Sequence, residues 1–410
     1  MTSGGNGIPG EFDYILLLFA LFVIPRILQR FRLPTAVTSV GLGAAAGLGL
    51  ALFTQDPTVR LLATFGIVSL FLFAGLEVDF AELRRETRVL VQHIVVGVAA
   101  LFAVALAIRL IGGLDWRPSV LVSLALLTPS TGFILDALAA LGVTESERFW
   151  IKSKAVATEL VALAALFVTL QSETIAGLGL SSLILLLLVL LLPIAFRAFA
   201  ALVVPYAPKS EFAFLLMIAV LAAVVTRRLG VYYLVGAFIV GIIAQRFRLR
   251  LPAIASEQML HAVEVFASFF VPFYFFDVGL HLHREDFAGE GLIIGAAFLG
   301  IMIPLRIGLV AVHRRVALGE SWRHATRIGV SMLPTLVFTL VLAEILADRF
   351  DISRSLYGGL VIYALGTTLI PGFALRVPAP EMDVWHEDGS SPVGAGGGGE
   401  RAALEPAREG

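Results

Sequence analysis

RLPTAVTSVGLGAAAG, residues 32–47, returns in altered form as RLGVYYLVGAFIVG at 228–241, and FLFAGLEVDF at 71–80 returns as FFDVGLHLH at 275–283. A third landmark is a proline: Pro129 within TPST at 128–131, and Pro334 within SMLPT at 331–335. Leu33 and Leu229, Gly75 and Gly279, and Pro129 and Pro334 are separated by 196, 204 and 205 residues. Near-constant spacing across three landmarks marks an internal duplication. Around them lie apolar runs of about 20 residues, the length that crosses a hydrocarbon core of roughly 30 Å.

Composition agrees with that reading. The 410-residue chain is 58% hydrophobic and 15% charged, with a mean hydropathy of +0.92, which excludes a soluble catalytic domain of ordinary make-up. Alternating ten-residue segments of a membrane barrel are absent, so the spans are expected to be helices, which satisfy their own backbone hydrogen bonds in lipid. About thirteen helices fit. The expected class is therefore an all-α polytopic membrane protein, with a transmembrane domain over 12–376. Repeat one covers 12–170, a linker helix 174–196, and repeat two 211–376. Helices one to six then match eight to thirteen. Seven helices separate matched partners, so the two halves must be inverted in the membrane.

The ends and loops set the expected topology. Residues 1–11 carry no Lys or Arg and read as an extracytoplasmic leader rather than a cleaved signal peptide. Residues 377–410, rich in Gly, Glu and Pro, read as a disordered cytoplasmic tail. Lys and Arg concentrate in loops after odd-numbered helices, among them Arg84, Arg85, Arg246, Arg248 and Arg314. Cytoplasmic loops collect such residues, so the amino terminus is expected outside a bacterial cytoplasmic membrane and the tail inside. A formal charge of −1 argues against a nucleic-acid partner, and the absence of cysteine removes disulfides and thiol chemistry. Neither a His-Glu-x-x-His nor a Gly-x-Ser-x-Gly run occurs, so an enzyme is not expected.

Inverted repeats with a broken helix in each half are the organisation of secondary transporters, whose site lies where the two breaks meet near the bilayer midplane. Pro129 and Pro334 each remove a backbone donor and free a carbonyl one turn earlier. Thr128, Ser130, Thr131 and Thr335 flank the breaks as oxygen donors. A simple kink is the bland meaning of one intramembrane proline; two at matched repeat positions weaken it.

Charge inside lipid needs a reason, since insertion scales set about 2.5–3.5 kcal/mol against each such residue at helix centre. Glu159, in SKAVATELVALAALF at 153–167, is the deepest acid, and Arg306, in FLGIMIPLRIGLV at 298–310, is the central base. They are expected to face each other. A purely structural ion pair is the plain alternative, but a sequestered carboxyl can also trade a proton for a cation while the guanidinium stays a fixed counter-charge. Asp136, two turns past the first break, is a candidate for guiding ions toward the site. Asp277, beside Gly279, could meet a polar group of the opposite half.

These residues resemble the monovalent cation:proton antiporter superfamily, in the branch that holds bacterial Na+/H+ antiporters and glutathione-gated K+ efflux systems. The resemblance runs over nearly all of 12–376. FLFAGLEVDFAELRR at 71–85 is similar to the family's Gly-Leu-Glu segment closing the third helix, while LGVYYLVGAFIVGII at 229–243 and PFYFFDVGLHL at 272–282 are similar to its ninth and tenth. It implies crossed unwound segments at 128–131 and at Pro334 and Thr335 in helices five and twelve. It also implies a homodimeric scaffold with a mobile six-helix core that shifts like an elevator. Thr158 and Glu159 stand where the family carries a pair ending in Asp, and Arg306 where it carries Lys or Arg. Thr-Glu departs from that pair, which opens the choice of cation.

The expected function is exchange of Na+ or K+ for H+ by competition at Glu159, with Thr158, Thr128, Ser130 and Thr131 as further oxygen ligands and no cofactor. One exchangeable carboxylate favours electroneutral exchange. Two other readings stand beside it: a sodium-coupled symporter of an organic anion with the same architecture, and a membrane ion sensor that does not transport.

Overall fold

A computed structural model describes residues 10–78, 87–134, 145–207, 210–230, 233–248 and 257–375. Among these residues every regular element is helical and there is no strand. Fourteen α-helices follow in order. The first seven are α1 Glu11–Gln29, α2 Thr35–Ala44, α3 Pro57–Leu76, α4 Thr87–Gly112, α5 Trp116–Leu127, α6 Glu145–Gln171 and α7 Ile175–Leu202. The remainder are α8 Glu211–Arg228, α9 Tyr233–Arg248, α10 Glu257–Leu280, α11 Gly289–Leu318, α12 Trp322–Ser331, α13 Leu336–Phe350 and α14 Arg354–Ala374. The expected leader up to residue 9, the expected tail from 376 onward and Asp136 lie outside the described residues.

Seven of the described helices, α3, α4, α6, α7, α10, α11 and α14, are each long and apolar enough to cross a membrane. The pair α12 and α13 qualifies together as one span bent by 50°. Helix ends follow local chemistry. Asp56 caps α3 by accepting the N–H groups of Thr58 and Val59 at 2.8 and 3.0 Å, and Pro57 takes the first helical position, where no N–H is needed. Tyr14 donates to the same carboxylate at 2.6 Å and ties α1 to that cap. At the far end of α6, Arg117 donates to the orphan carbonyls of Thr169 and Leu170 at 3.0 and 2.9 Å and pairs with Glu173. That guanidinium holds the exposed Glu173 carboxyl below the usual carboxylate range.

The closest helix packing falls into two groups. In one, α10 packs on α2 and α3, α9 packs on α3, and α8 and α1 flank them. In the other, α11 packs on α12 and α14, α5 packs on α4 and α13, and α6 lies against α4 and α5. Each group draws three consecutive helices from the first part of the chain and three spans from the second, the bent pair α12 and α13 counting as one, and α7 runs between.

Two glycine crossings hold the first group together. A Cβ on Gly43 would be driven into the Phe276 carbonyl and would sit 2.9 Å from the Gly279 Cα. A Cβ on Gly75 would be driven into the Phe238 carbonyl and would sit 3.0 Å from the Gly241 Cα. Small residues let backbones approach this closely, which is how helices gain dispersion contact where lipid supplies no hydrophobic drive. Between the groups the contacts include aromatic edges, Phe71 on Phe338 at 5.7 Å and Phe133 on Phe275 at 6.4 Å.

Gly75→Val is therefore expected to destabilise the protein by about 1–3 kcal/mol through overpacking, read as a lower thermal unfolding temperature in detergent. Gly97→Ala, where a Cβ meets nothing within 4 Å on α4, should leave that temperature unchanged or raise it slightly.

Candidate functional site

Both prolines flagged in the sequence sit in helix interruptions, and the two interruptions meet. Helix α5 ends at Leu127, Thr128 turns to extended backbone at φ −77° and ψ 119°, and helix resumes over 131–134. The second break separates α12 from α13, with Leu333 and Pro334 in irregular backbone and Thr335 at the N-cap of α13. The Ser130 N–H donates to the Pro334 carbonyl at 2.8 Å. Its hydroxyl accepts the Val337 N–H at 3.2 Å, capping α13 from the other broken helix. The Thr339 hydroxyl returns a bond to the Ala125 carbonyl at 2.7 Å.

Glu159 closes the remaining end. Its Oε1 accepts the Thr131 N–H at 2.8 Å, and the side chain is 5% exposed. A carboxylate placed there meets the first free donor of a helix start, where the backbone dipole favours negative charge. The Thr131 hydroxyl is buried close by without a well-formed hydrogen bond. Glu159, Ser130 and Thr131 line one cavity with Glu77, which lies at the C-terminal cap of α3, and with Phe71 and Phe338. Oxygen donors of this kind, hydroxyls together with carboxyl groups, suit a hard cation or a proton.

The expected direct pairing of Arg306 with Glu159 is not formed. Arg306, 7% exposed, donates to the carbonyls of Leu333 and Met332 at 2.6 and 2.9 Å, the free end of α12. It also reaches the Tyr363 hydroxyl at 3.3 Å, and that hydroxyl donates to the Leu126 carbonyl at 2.7 Å, the free end of α5. The guanidinium thus answers backbone dipoles freed by the breaks. Its five donors in a planar fork suit that task better than a point charge would.

The expected ligand set splits between two faces of the crossing. Thr128, Pro129, Thr158 and Arg306 line a second cavity together with His93 and Met332. The Thr158 hydroxyl donates to the Lys154 carbonyl at 2.8 Å and lies 3.3 Å from His93 Nε2. Thr335 bonds to Thr367 at 3.1 Å. Asp277 stands away from the crossing, in a wide polar cavity with Arg60, His281, Glu344 and Arg354, its Oδ1 3.8 Å from His281 Nδ1. Three residues escaped the sequence reading. Tyr363 and Lys154 are fully buried, yet Tyr363 reads as an ordinary apolar-run aromatic and Lys154 as a loop base near a helix start. Glu77 reads as a solvated helix end. Only the fold carries it to the cavity of Glu159.

Ser130→Ala is expected to leave the Val337 N–H without a partner at a cost of about 1–3 kcal/mol, read as a loss of thermal stability in detergent. Tyr363→Phe should do the same at the Leu126 carbonyl.

The family profile described as sodium/hydrogen exchanger, transmembrane, matches residues 16–379. The chain is 23% identical over 400 residues to the Na(+)/H(+) antiporter NhaS5 of Synechocystis sp., covering 90% of this chain and 55% of that protein; it thus spans little more than half the length of that relative. It is 24% identical over 384 residues to the probable Na(+)/H(+) antiporter 3 of Methanocaldococcus jannaschii, covering 88% of this chain and 95% of the relative. Its fold is similar to that of the sodium proton antiporter MjNhaP1 from Methanocaldococcus jannaschii, solved at pH 8. The TM-score is 0.65 at 12% identity, covering 89% of this chain and 95% of the other. With most of its length inside the matched profile and a buried carboxylate where two broken helices cross, the chain belongs to the sodium/hydrogen exchanger family.

Proposed function

We propose that this protein exchanges a monovalent cation, Na+ or K+, for H+ across a membrane by alternating access, with both ions competing for Glu159. The observation that carries the reading is the burial of that one carboxylate at the meeting of two helix breaks, against the Thr131 N–H and beside buried hydroxyls. Either guest neutralises the side chain. An empty, ionised Glu159 is costly to carry through a low-dielectric barrier, so the moving part crosses loaded and leak is suppressed. One carboxylate that holds one positive guest gives one cation for one proton, hence electroneutral exchange.

The moving part in this reading is the group α4, α5, α6 and α11–α14, which carries the site. The group held by the Gly43–Gly279 and Gly75–Gly241 crossings is the frame, and in a homodimer it would face its counterpart. These crossings also support the inverted repeat of thirteen passages, because Gly75 and Gly279 occupy matching places in the duplicated sequence and each is crossed by a glycine of the other half, Gly241 and Gly43 respectively. The amino terminus is placed outside a bacterial cytoplasmic membrane and the tail inside. Glu77, on the cavity of Glu159 but on the frame, gives an entering cation its first acidic contact. Arg306 acts as a fixed positive charge that holds the crossing together and raises the barrier for a cation on that side.

Glu159→Gln should reduce cation-driven pH change in proteoliposomes to the level of empty vesicles, with Na+, K+ and Li+ tested separately. Exchange at wild-type rate in that variant would overturn the assignment. Glu159→Asp should retain exchange with altered cation preference. Glu77→Gln should raise the half-saturating cation concentration several-fold while leaving the maximal rate close to wild type. Imposed voltage should leave the wild-type rate unchanged.

A further inference from the structure

Behind the Thr158 face of the crossing lies a partly buried basic cluster that the competition at Glu159 does not use. Lys154 is on α6, five residues before Glu159, and is fully buried. Its Nζ lies 2.8 Å from His313 Nδ1 on α11. The ring of His93, on α4, stands 5.7 Å from the ring of His313 and contacts the Thr158 hydroxyl. Among the described residues, the remaining charges facing the pair are Arg314, on α11, and Glu320, in the turn before α12. These two are committed to each other through hydrogen bonds of 2.7 and 2.5 Å.

We propose that Lys154, His313 and His93 form a second proton-binding site, separate from Glu159, whose occupancy sets the pH range over which exchange runs. Proton counting on the geometry leads there. A nitrogen-to-nitrogen hydrogen bond of 2.8 Å needs one lone pair, so Lys154 and His313 hold a single proton on their shared axis, with one partner donating and the other accepting. A second proton on that axis breaks the bond and sets two positive charges together in a buried space, next to Arg314. His313 Nε2 is buried with no hydrogen-bond partner, so no carboxylate locks the ring in its charged form.

Coupling to the transport site runs through Thr158. Its hydroxyl donates its one hydrogen to the Lys154 carbonyl and accepts from His93 Nε2, and the residue sits next to Glu159 in the chain. A change of charge on the cluster therefore acts on the same helix segment that holds the exchangeable carboxylate.

This inference rests on the exchange reading for its consequence but not for its chemistry, and two measurements separate them. In purified full-length protein with isotope-labelled histidine, nuclear magnetic resonance should show His313 Nδ1 hydrogen-bonded and titrating jointly with a second group. Lys154→Met should convert that behaviour to the titration of a lone imidazole, and His313→Asn should remove the signal. In proteoliposomes, Lys154→Met and His313→Asn should each move the pH profile of exchange by about one unit. Lys154→Arg, which keeps charge but cannot release it, should flatten the profile. A His313 signal indifferent to Lys154→Met would overturn the proposal, as would variants that slow exchange equally at every pH. If Lys154→Met does not fold, His313→Asn addresses the same axis from α11. Loss of all cation-driven pH change in the wild type would count against exchange alone, since the resonance experiment still decides the proton site.

Discussion

A helix interrupted inside a membrane exposes backbone donors and acceptors where no bulk water can satisfy them, and each one left unpaired costs several kcal/mol. That constraint governs the centre of this protein. Four free helix ends meet at the crossing, and each is answered from outside its own helix. Ser130 caps the start of α13. Arg306 collects the carbonyls at the end of α12. Tyr363 takes the end of α5, and Glu159 takes the turn that begins at Thr131. Three of these partners have no charge to exchange at neutral pH, because hydroxyls stay neutral and a guanidinium stays protonated. Glu159 is the one carboxyl group among the four.

This division of labour explains why Arg306 is not found on Glu159. A guanidinium locked to the carboxylate would favour its ionised form and compete with any cation for it. Placed on the α12 carbonyls, the same charge stabilises the break and leaves Glu159 to the Thr131 N–H. The two helix groups are distinguished by packing of a different kind. Glycine crossings bring backbones within van der Waals contact and resist sliding, whereas aromatic edges such as Phe71 on Phe338 have no interlocking partner across the boundary. Close backbone crossings thus hold the first group together, while side-chain edges join it to the second.

Much of this was legible from residues alone. Pro129 and Pro334 marked the breaks because a missing donor has the same meaning in any membrane helix. Glu159 stood out because a carboxyl in the middle of an apolar run demands a reason. Partners were harder to read. Tyr363 lies among apolar residues with nothing local to distinguish it, Lys154 sits close enough to a helix start to pass for a loop base, and Thr158 turned out to face a different cavity from Ser130 and Thr131. Neighbours on a helix that are one residue apart point about 100° apart, so a Thr-Glu pair could not both face one cavity.

By itself, then, the sequence determined the solvent the chain folds in, the helical class, the position of both interruptions and the identity of the buried acid. These follow from composition, run length and the chemistry of proline and carboxylate, all of which are local. The tertiary structure decided which carbonyls Arg306 binds, which hydroxyls share a cavity with Glu159, that Glu77 joins them, and that Lys154 meets two histidines rather than water. Such pairings depend on helix rotation and crossing angle, which are set by packing between segments that can lie more than 200 residues apart and leave no mark on any single stretch of chain.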